Sequence, residues 1–163
     1  MCLATKKTYF EDLTFNVSEA VYQPAEDSFL LAENLDVNNN EKVLDMGTGC
    51  GILGVISANK ASVVVAVDVN PHAIRCAKQN AAINGVLDKI FFLQSDLFAS
   101  VDGQTKFDLI LFNSPYLPSE DNETDFWIGR AWAGGATGRQ VIDRFIFQAP
   151  FYLKRTGRIL LMQ

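Results

Sequence analysis

Histidine and cysteine are scarce in this chain of 163 residues, which has one histidine, His72, and three cysteines, Cys2, Cys50 and Cys76. The cysteines are scattered and form no Cys-x-x-Cys pair, which indicates reduced thiols and no disulfide framework. A structural zinc site needs several Cys and His ligands, so the sequence predicts no metal site. Catalysis by a nucleophile with a histidine base would depend on His72 alone, which disfavours the common hydrolase classes.

The chain also lacks a long apolar segment and an excess of basic residues. Its longest apolar stretches, residues 61–67 and 107–112, are far shorter than the roughly 18 residues that a membrane helix needs. The first seven residues contain no apolar run after their basic pair, so no secretory signal is visible. We therefore predict a cytoplasmic protein with no membrane partner. The net charge of 14 − 19 = −5 makes duplex nucleic acid an unfavourable partner.

The length and the absence of repeats or linkers predict one domain that spans residues 1–163. We divide it into an N-terminal segment, residues 1–23, and a core of strand–helix–strand units, residues 24–163. The sequence ends inside an apolar run that starts at Arg158, and an uncovered apolar strand promotes association. We therefore expect a C-terminally truncated domain that lacks its closing strands.

Apolar runs of strand length alternate with segments of helical periodicity along the core. The predicted strands are residues 42–46, 62–67, 89–94 and 107–112 with a fifth from 158, and the predicted helices are residues 24–35, 71–84 and 140–149 with another from 52. Such alternation predicts an α/β fold with a doubly wound, mainly parallel sheet. Ligands of such sheets bind beyond the carboxyl ends of the strands, so the loops that follow those ends form the candidate site.

The loop after the first core strand is a glycine-rich turn, Gly47-Thr48-Gly49-Cys50-Gly51. Glycines between a strand and a helix allow close approach of a ligand to the backbone and direct helix N-terminal amides at an anion. Residues 49–54 also fit the G-x-G-x-x-G pattern of dinucleotide-binding proteins, so the turn alone leaves a nicotinamide oxidoreductase open.

Acidic residues follow the next two strands. Asp68 lies 17 residues after Gly51, close to the spacing of about 20 at which a carboxylate accepts hydrogen bonds from a ribose diol. Asp96 follows the third strand in the same spatial row. The sequence therefore predicts a nucleoside at this edge of the sheet.

The sequence of the loop after the fourth core strand favours a methyltransferase over a nicotinamide oxidoreductase. It reads Asn113-Ser114-Pro115-Tyr116. The Asn113 side-chain oxygen and the Ser114 carbonyl are two acceptors for the two N–H bonds of a planar NH₂ group, on which Tyr116 can stack. For Trp127 and Trp132 the sequence leaves two positions equally open, at the entrance for the substrate or packed under a long loop.

Together these motifs resemble the class I S-adenosylmethionine-dependent methyltransferases of the HemK type. The residues 21–29, VYQPAEDSF, and 131–135, AWAGG, add a closer similarity to the archaeal and eukaryotic release-factor glutamine methyltransferases. Ser114 replaces the first proline of the family's Asn-Pro-Pro-Tyr motif. Because Pro115 still restricts the backbone of residue 114, we expect the function to survive with reduced rigidity.

The resemblance implies S-adenosylmethionine as cofactor. In the family pattern the turn after the first strand lines the methionine end, Asp68 holds the ribose and Asp96 accepts the adenine amino group, while Asp27 and Ser28 close over cofactor and substrate. The implied cofactor residues are Asp27, Ser28, Asp45, Gly47, Thr48, Gly49, Gly51, Asp68, Val69, Asp96, Leu97 and Asn113, and the implied catalytic residues are Asn113, Ser114, Pro115 and Tyr116.

The resemblance also implies a reaction and two partners. The expected product is N5-methylglutamine in the Gly-Gly-Gln loop of a translation termination factor. A small zinc-binding activator is expected at the edge of the third core strand. We hypothesise a direct displacement in which positioning supplies most of the rate.

Other functions remain open from the sequence. The chain could be a nucleic-acid methyltransferase, in which the same loop binds the NH₂ group of a flipped adenine or guanine. Residues 118–125 argue against this function, because they include four acidic residues and no basic residue. The basic residues from 130 to 158 leave an RNA acceptor open. A non-catalytic cofactor-binding subunit would also explain Ser114 and the early end of the chain.

Overall fold

The computed structural model describes residues 5–120 and 126–163. Its strands are β1 Thr5–Phe10, β2 Leu13–Ser18, β3 Lys42–Met46, β4 Val63–Asp68, β5 Ile90–Gln94, β6 Phe107–Asn113 and β7 Leu153–Met162. Its helices are α1 Glu26–Glu33, α2 Ile52–Ala58, α3 Pro71–Ile83, α4 Trp127–Arg130 and α5 Gln140–Gln148, with 3₁₀ turns at Leu87–Lys89 and Ala149–Tyr152.

Five parallel strands form the central sheet in the order β5-β4-β3-β6-β7. This arrangement confirms the predicted α/β fold with a parallel sheet. The chain enters this sheet at its centre with β3 and continues outward on one side through β4 and β5. It then returns to the other side of β3 and adds β6 and β7. The strand order therefore reverses between β3 and β6, where parallel sheets open a crevice for ligands.

Both faces of the sheet are covered by apolar side chains. Val43 of β3 packs with residues of α1, α2 and α3 on one face, whereas its neighbour Leu44 packs with Phe145 of α5 on the other. Because consecutive side chains of a strand point to opposite faces, a strand covered on both sides is apolar throughout. The central strands are therefore rigid supports for the loops at their carboxyl ends.

The N-terminal segment contains an antiparallel hairpin, β1–β2, that we did not predict. Asn80 of α3 and Asn84, which follows the helix as its C-cap, dock it, because each side-chain amide makes two hydrogen bonds to the backbone of β2. The Asn16 N–H donates to Asn80 Oδ1 at 2.9 Å and Asn80 Nδ2 donates to the Asn16 carbonyl at 3.0 Å, and Thr14 and Asn84 repeat the pattern at 3.1 and 2.9 Å. Asn80 Nδ2 also donates to the Cys50 carbonyl at 2.8 Å, which links the hairpin to the glycine turn.

Strand β7 begins at Leu153, five residues before the predicted start. Arg158 attaches it to the loop before β3, since its Nη1 and Nη2 donate to the two Glu41 carboxylate oxygens at 2.6 and 3.0 Å. These hydrogen bonds from Arg158 hold the pKa of Glu41 at about 2. The ion pair therefore helps to hold β7 in the sheet.

The glycine turn between β3 and α2 requires glycine at particular positions. Gly47, Gly49 and Gly51 all have φ in the left-handed region, which L side chains rarely adopt. A Cβ on Gly51 would lie 2.9 Å from the Cβ of Ala77, so a larger residue there would also push α3 away. The turn is thus shaped both by its own backbone and by the packing of α3.

A buried carboxyl group ties the two ends of this turn together. Asp45 Oδ2 accepts hydrogen bonds from Thr48 Oγ1 at 2.6 Å and from the Gly54 N–H at 2.9 Å. Its Oδ1 is buried and has no hydrogen-bond partner in the described part of the chain. Burial, as the largest cause, raises the pKa of Asp45 to about 7. The fold therefore favours the neutral carboxyl group.

Replacing Asp45 by asparagine is expected to change how stability depends on pH. An amide retains the acceptor for Thr48 and Gly54 but does not titrate. In the native chain the stabilising contribution of Asp45 falls as the pH rises from its ordinary pKa of 3.8 towards about 7, by about 1.4 kcal/mol per pKa unit. Urea denaturation of both proteins at pH 4, 5.5 and 7 should show the wild type losing stability relative to Asp45→Asn.

Every other titrating group is common to the two proteins in this comparison and cancels in the difference. A constant difference in the free energy of unfolding over this pH range would contradict the assignment of a raised pKa to Asp45.

Candidate active site

A cavity of about 540 Å³ opens at the carboxyl ends of β3, β4 and β6. Its volume suits a small organic ligand or cofactor. The predicted site residues that line it are Asp27, Ser28, Gly47, Thr48, Gly49, Asp68, Val69, Asp96, Leu97, Asn113, Ser114, Pro115 and Tyr116. The structure thus brings together side chains from five separate segments of the chain.

Two of the predicted cofactor residues, Asp45 and Gly51, are not among the residues that line the cavity. Asp45 is 1% exposed and lies behind the turn, where it binds Thr48 and Gly54. Gly51 packs against α3. Both residues support the turn from behind instead of making the predicted direct contribution to the cavity wall.

Asp68 joins the glycine turn to the start of α3. Its Oδ2 accepts from the Gly49 N–H and its Oδ1 from the Asn70 N–H, both at 2.9 Å. Burial raises the pKa of Asp68, against these hydrogen bonds, which lower it. Each carboxylate oxygen has more than one lone pair, so Asp68 can accept further hydrogen bonds from a ligand in the cavity.

The loop after β5 combines a strained backbone with an exposed ion pair. Leu97 has φ of +47°, a rare conformation for a residue other than glycine, and its buried side chain packs with Phe98. Asp96 Oδ2 accepts a hydrogen bond from Arg144 Nη2 of α5 at 2.7 Å. Because both side chains are about half exposed, at 55% and 52%, this pair contributes little to stability and leaves Asp96 accessible from the cavity.

The Asn113 amide presents an acceptor without a partner. Its Nδ2 donates to Asp27 Oδ2 at 3.3 Å and to Ser28 Oγ at 3.1 Å. Its Oδ1 is buried and accepts no hydrogen bond from the described residues. A buried acceptor without a donor costs free energy unless a ligand satisfies it. Ser114 follows directly in the chain and lines the same cavity.

Ser114 makes contacts that a proline could not make. Its Oγ donates to the carbonyl of Met162 at the end of β7 at 2.6 Å, and its N–H approaches the same oxygen at 3.4 Å. The expected loss of rigidity at this position is therefore offset by a hydrogen bond to β7. Ser114 itself is 4% exposed, so water does not compete for this bond.

We did not predict Tyr22 as a site residue, although it lies in the motif at residues 21–29. Its hydroxyl donates to Asp27 Oδ1 at 3.3 Å. Burial, followed by the Asp27 charge, raises the pKa of Tyr22 to about 12, so the phenol keeps its proton at neutral pH. The aromatic residue thus holds a carboxylate that in turn contacts Asn113.

The wall near Tyr116 is built by the segment that contains the AWAGG motif. Trp132 O accepts from the Leu117 N–H at 3.0 Å, and the Gly134 N–H donates to Leu117 O at 2.8 Å. A Cβ on Gly138 would collide with the Tyr116 carbonyl oxygen. The glycines of this segment therefore allow close packing against the loop after β6.

Trp127 and Trp132 both line the cavity. Arg130, which we did not predict as a site residue, also lines the cavity and places its guanidinium carbon 4.9 Å from the Trp127 ring centre. Residues 121–125 of the acidic run lie outside the described residues.

Over residues 5–120 and 126–163, no three acidic, histidine or cysteine side chains gather as they would around a metal ion, and no helix has the length and hydropathy to cross a membrane.

The fold is shared with solved methyltransferases. The 16S rRNA N2 methyltransferase of Thermus thermophilus, solved with AdoMet and guanosine, superimposes with a TM-score of 0.75 over 99% of this chain and 42% of that chain, at 20% sequence identity. This similarity establishes the fold of the chain.

The sequence comparisons establish the family. The chain is 46% identical over 155 residues to a putative protein N5-glutamine methyltransferase of Methanocaldococcus jannaschii, which covers 94% of this chain and 77% of that protein. It is 35% identical over 121 residues to a release factor glutamine methyltransferase of Fusobacterium nucleatum, covering 71% of this chain and 34% of that protein. Residues 16–130 match the family described as the methyltransferase small domain. The chain therefore belongs to the methyltransferase small domain family and is of the HemK type.

Proposed function

We propose that this chain transfers a methyl group from S-adenosylmethionine to the side-chain nitrogen of a glutamine in a protein. The observation that carries the proposal is the buried Oδ1 of Asn113, an acceptor without a partner in the described chain, in a residue that lines the cavity together with Ser114. Two adjacent acceptors match the two N–H bonds of a primary amide.

The residues around the cavity fit S-adenosylmethionine. The glycine turn presents backbone without a Cβ at Gly47 and Gly49, and Asp68 retains lone pairs for the ribose hydroxyls. Asp96 stands at the wall as an acceptor for the adenine amino group. When bound there, S-adenosylmethionine supplies an electrophilic methyl group on its sulfonium sulfur.

The residues of the chain position and polarise the acceptor nitrogen. Asn113 Oδ1 and the Ser114 carbonyl accept its two N–H bonds and offset the positive charge that develops on nitrogen as it bonds to carbon. Tyr116 lies in the same wall and offers its ring to the plane of the amide. Transfer of the methyl group would leave the cofactor as the neutral thioether S-adenosylhomocysteine. The methylated nitrogen would release one proton to solvent water after its positive charge has formed, so no strong base is needed, and most of the rate comes from positioning.

A glutamine in a Gly-Gly-Gln loop of a translation termination factor is the proposed acceptor. It is supported by the glutamine methyltransferases among the relatives and by the motifs at residues 21–29 and 131–135. A nucleic-acid acceptor is less well supported, because the negative net charge of −5 opposes phosphate binding. A nicotinamide oxidoreductase would leave the pair of acceptors at Asn113 and Ser114 without a role.

The reaction can be tested with a Gly-Gly-Gln peptide and with the variant Asn113→Ala. The wild type should produce N5-methylglutamine, whereas Asn113→Ala should lose about 100-fold or more in turnover because one of two acceptors at the reacting nitrogen is gone. Mass spectrometry of the peptide measures turnover, and calorimetry measures S-adenosylmethionine affinity, which should change little. Asn59→Ala, at an exposed asparagine after α2, is the matched control and should be fully active.

Two outcomes would contradict the proposal in different ways. Loss of S-adenosylmethionine binding in Asn113→Ala would show that Asn113 holds the cofactor and not the acceptor. Cofactor binding by the wild type without methyl transfer to the peptide would argue for another acceptor or for a non-catalytic subunit.

The outer edge of β5 is the proposed docking site for a small zinc-binding activator. In the part of the chain that the structure describes, β5 pairs with β4 alone, which leaves the other edge of the strand without a backbone partner. Phe91 of β5 is 66% exposed, and Ile83 and Leu87 in the segment that precedes β5 are exposed as well. An open strand edge with exposed apolar side chains is suited to strand addition by a partner.

The variant Phe91→Lys tests this edge. Co-expression with the small zinc-binding activator of the source organism should give a complex with the wild type that Phe91→Lys loses, because a charge replaces the apolar contact. Phe147→Lys is the matched control, since Phe147 is 77% exposed on α5 and lies away from β5. Size-exclusion chromatography with zinc analysis measures the complex. Equal retention in both variants would exclude the β5 edge as the docking site.

A further inference from the structure

We propose that Asp27 is a positioning residue that fixes the orientation of the Asn113 amide, so that Oδ1 and not Nδ2 faces the acceptor nitrogen. This inference rests on the proposed function, because it explains how Asn113 comes to present an acceptor. Asp27 and Asn113 are 86 residues apart in the chain and meet only in the folded structure.

The two ends of an asparagine amide have nearly the same shape but opposite hydrogen-bonding roles. Asn113 Nδ2 has two hydrogens, and the structure gives it two acceptors, Asp27 Oδ2 at 3.3 Å and Ser28 Oγ at 3.1 Å. An ionised carboxylate only accepts hydrogen bonds. The flipped amide would place its oxygen against the oxygen of Asp27, which is repulsive. The carboxylate therefore selects one orientation.

Asp27 is itself held in place by contacts to its other oxygen. Asp27 Oδ1 accepts from the Ser28 N–H at 2.6 Å, from Ser28 Oγ at 3.2 Å and from the Tyr22 hydroxyl at 3.3 Å, and this hydroxyl also reaches Oδ2 at 3.5 Å. The shortest contacts therefore hold Oδ1, and Oδ2 is the oxygen that accepts from Asn113. The arrangement leaves Asn113 Oδ1 as the buried atom with no partner among the described residues.

The isosteric variant Asp27→Asn should reverse the selection. Its single side-chain oxygen is best placed where the Ser28 N–H donates at 2.6 Å, which turns its NH₂ group towards Asn113. Two facing NH₂ groups repel, so the Asn113 amide turns round and accepts from the new NH₂. Asn113 then presents a donor to the cavity. The variant Asp27→Ala removes the same negative charge but supplies no donor and selects neither orientation.

The test compares a Gly-Gly-Gln peptide with the same peptide ending in Gly-Gly-Glu, on the wild type, Asp27→Asn and Asp27→Ala. We expect kcat/KM for the glutamine peptide to fall about 100-fold in Asp27→Asn. The preference for glutamine over glutamate, measured as the ratio of dissociation constants, should shift by at least about tenfold towards glutamate in Asp27→Asn. Asp27→Ala should show a smaller shift, which reports the lost charge alone.

The outcomes separate this inference from the proposed function. A wild type that does not methylate the glutamine peptide contradicts the proposed function. A wild type that methylates it, with equal shifts in peptide preference in Asp27→Asn and Asp27→Ala, overturns the positioning role of Asp27 and leaves the proposed function intact. Melting temperature and S-adenosylmethionine binding show whether each variant has folded.

Tyr22→Phe provides a second, milder variant if Asp27→Asn does not fold. It removes only the hydroxyl that donates to Asp27 Oδ1 and retains the ring. We expect kcat/KM for the glutamine peptide to fall about three- to tenfold with no gain in glutamate binding. Unchanged kcat/KM in Tyr22→Phe would contradict the proposed chain of contacts from Tyr22 through Asp27 to Asn113.

Discussion

The buried carboxyl group of Asp45 is the interaction on which the site depends. It binds Thr48 and Gly54 from one oxygen and so closes the turn between β3 and α2. The same turn donates the Gly49 N–H to Asp68, which in turn binds the Asn70 N–H at the start of α3. Burial of the Asp45 carboxyl group costs free energy, and this group lies where the β3–α2 and β4–α3 connections meet.

A second set of contacts brings the N-terminal part of the chain to the same place. Asn80 of α3 and its C-cap Asn84 bind the backbone of β2, and the N-cap Asn70 donates through Nδ2 to the Ala20 carbonyl at 2.8 Å. These bonds fix the segment that leads to Tyr22 and α1. Asp27 at the start of α1 can then meet Asn113 at the end of β6. The geometry of the proposed acceptor therefore depends on helix α3 as much as on the loop itself.

Much of this arrangement could be predicted from the sequence. Alternating apolar strands and helices predict a parallel sheet, and the ends of parallel strands meet at one edge, so Asp68 and Asn113 were correctly expected at the same crevice. The hairpin β1–β2 could not be predicted in this way, because one edge of β2 is satisfied by asparagine side chains some 70 residues away. The start of β7 was also missed, since Lys154 and Arg155 are exposed and polar there.

Residue roles were harder to predict than positions. Asp45 belongs to the motif around the glycine turn but lies behind the turn. Only its burial shows that it supports the turn, whereas Asp68 lines the cavity. Tyr22 acts through Asp27 and has no pattern of its own beyond the motif. Such roles depend on which atom of a side chain faces which neighbour, and spacing along the chain does not contain that information.

Binding of S-adenosylmethionine in the cavity underlies every role assigned to the site, and calorimetric titration of the chain with S-adenosylmethionine and, in parallel, with NAD measures it. We expect saturable binding of S-adenosylmethionine that is lost in Asp68→Ala, with no binding of NAD. Binding of NAD in preference to S-adenosylmethionine by the folded chain would contradict this expectation.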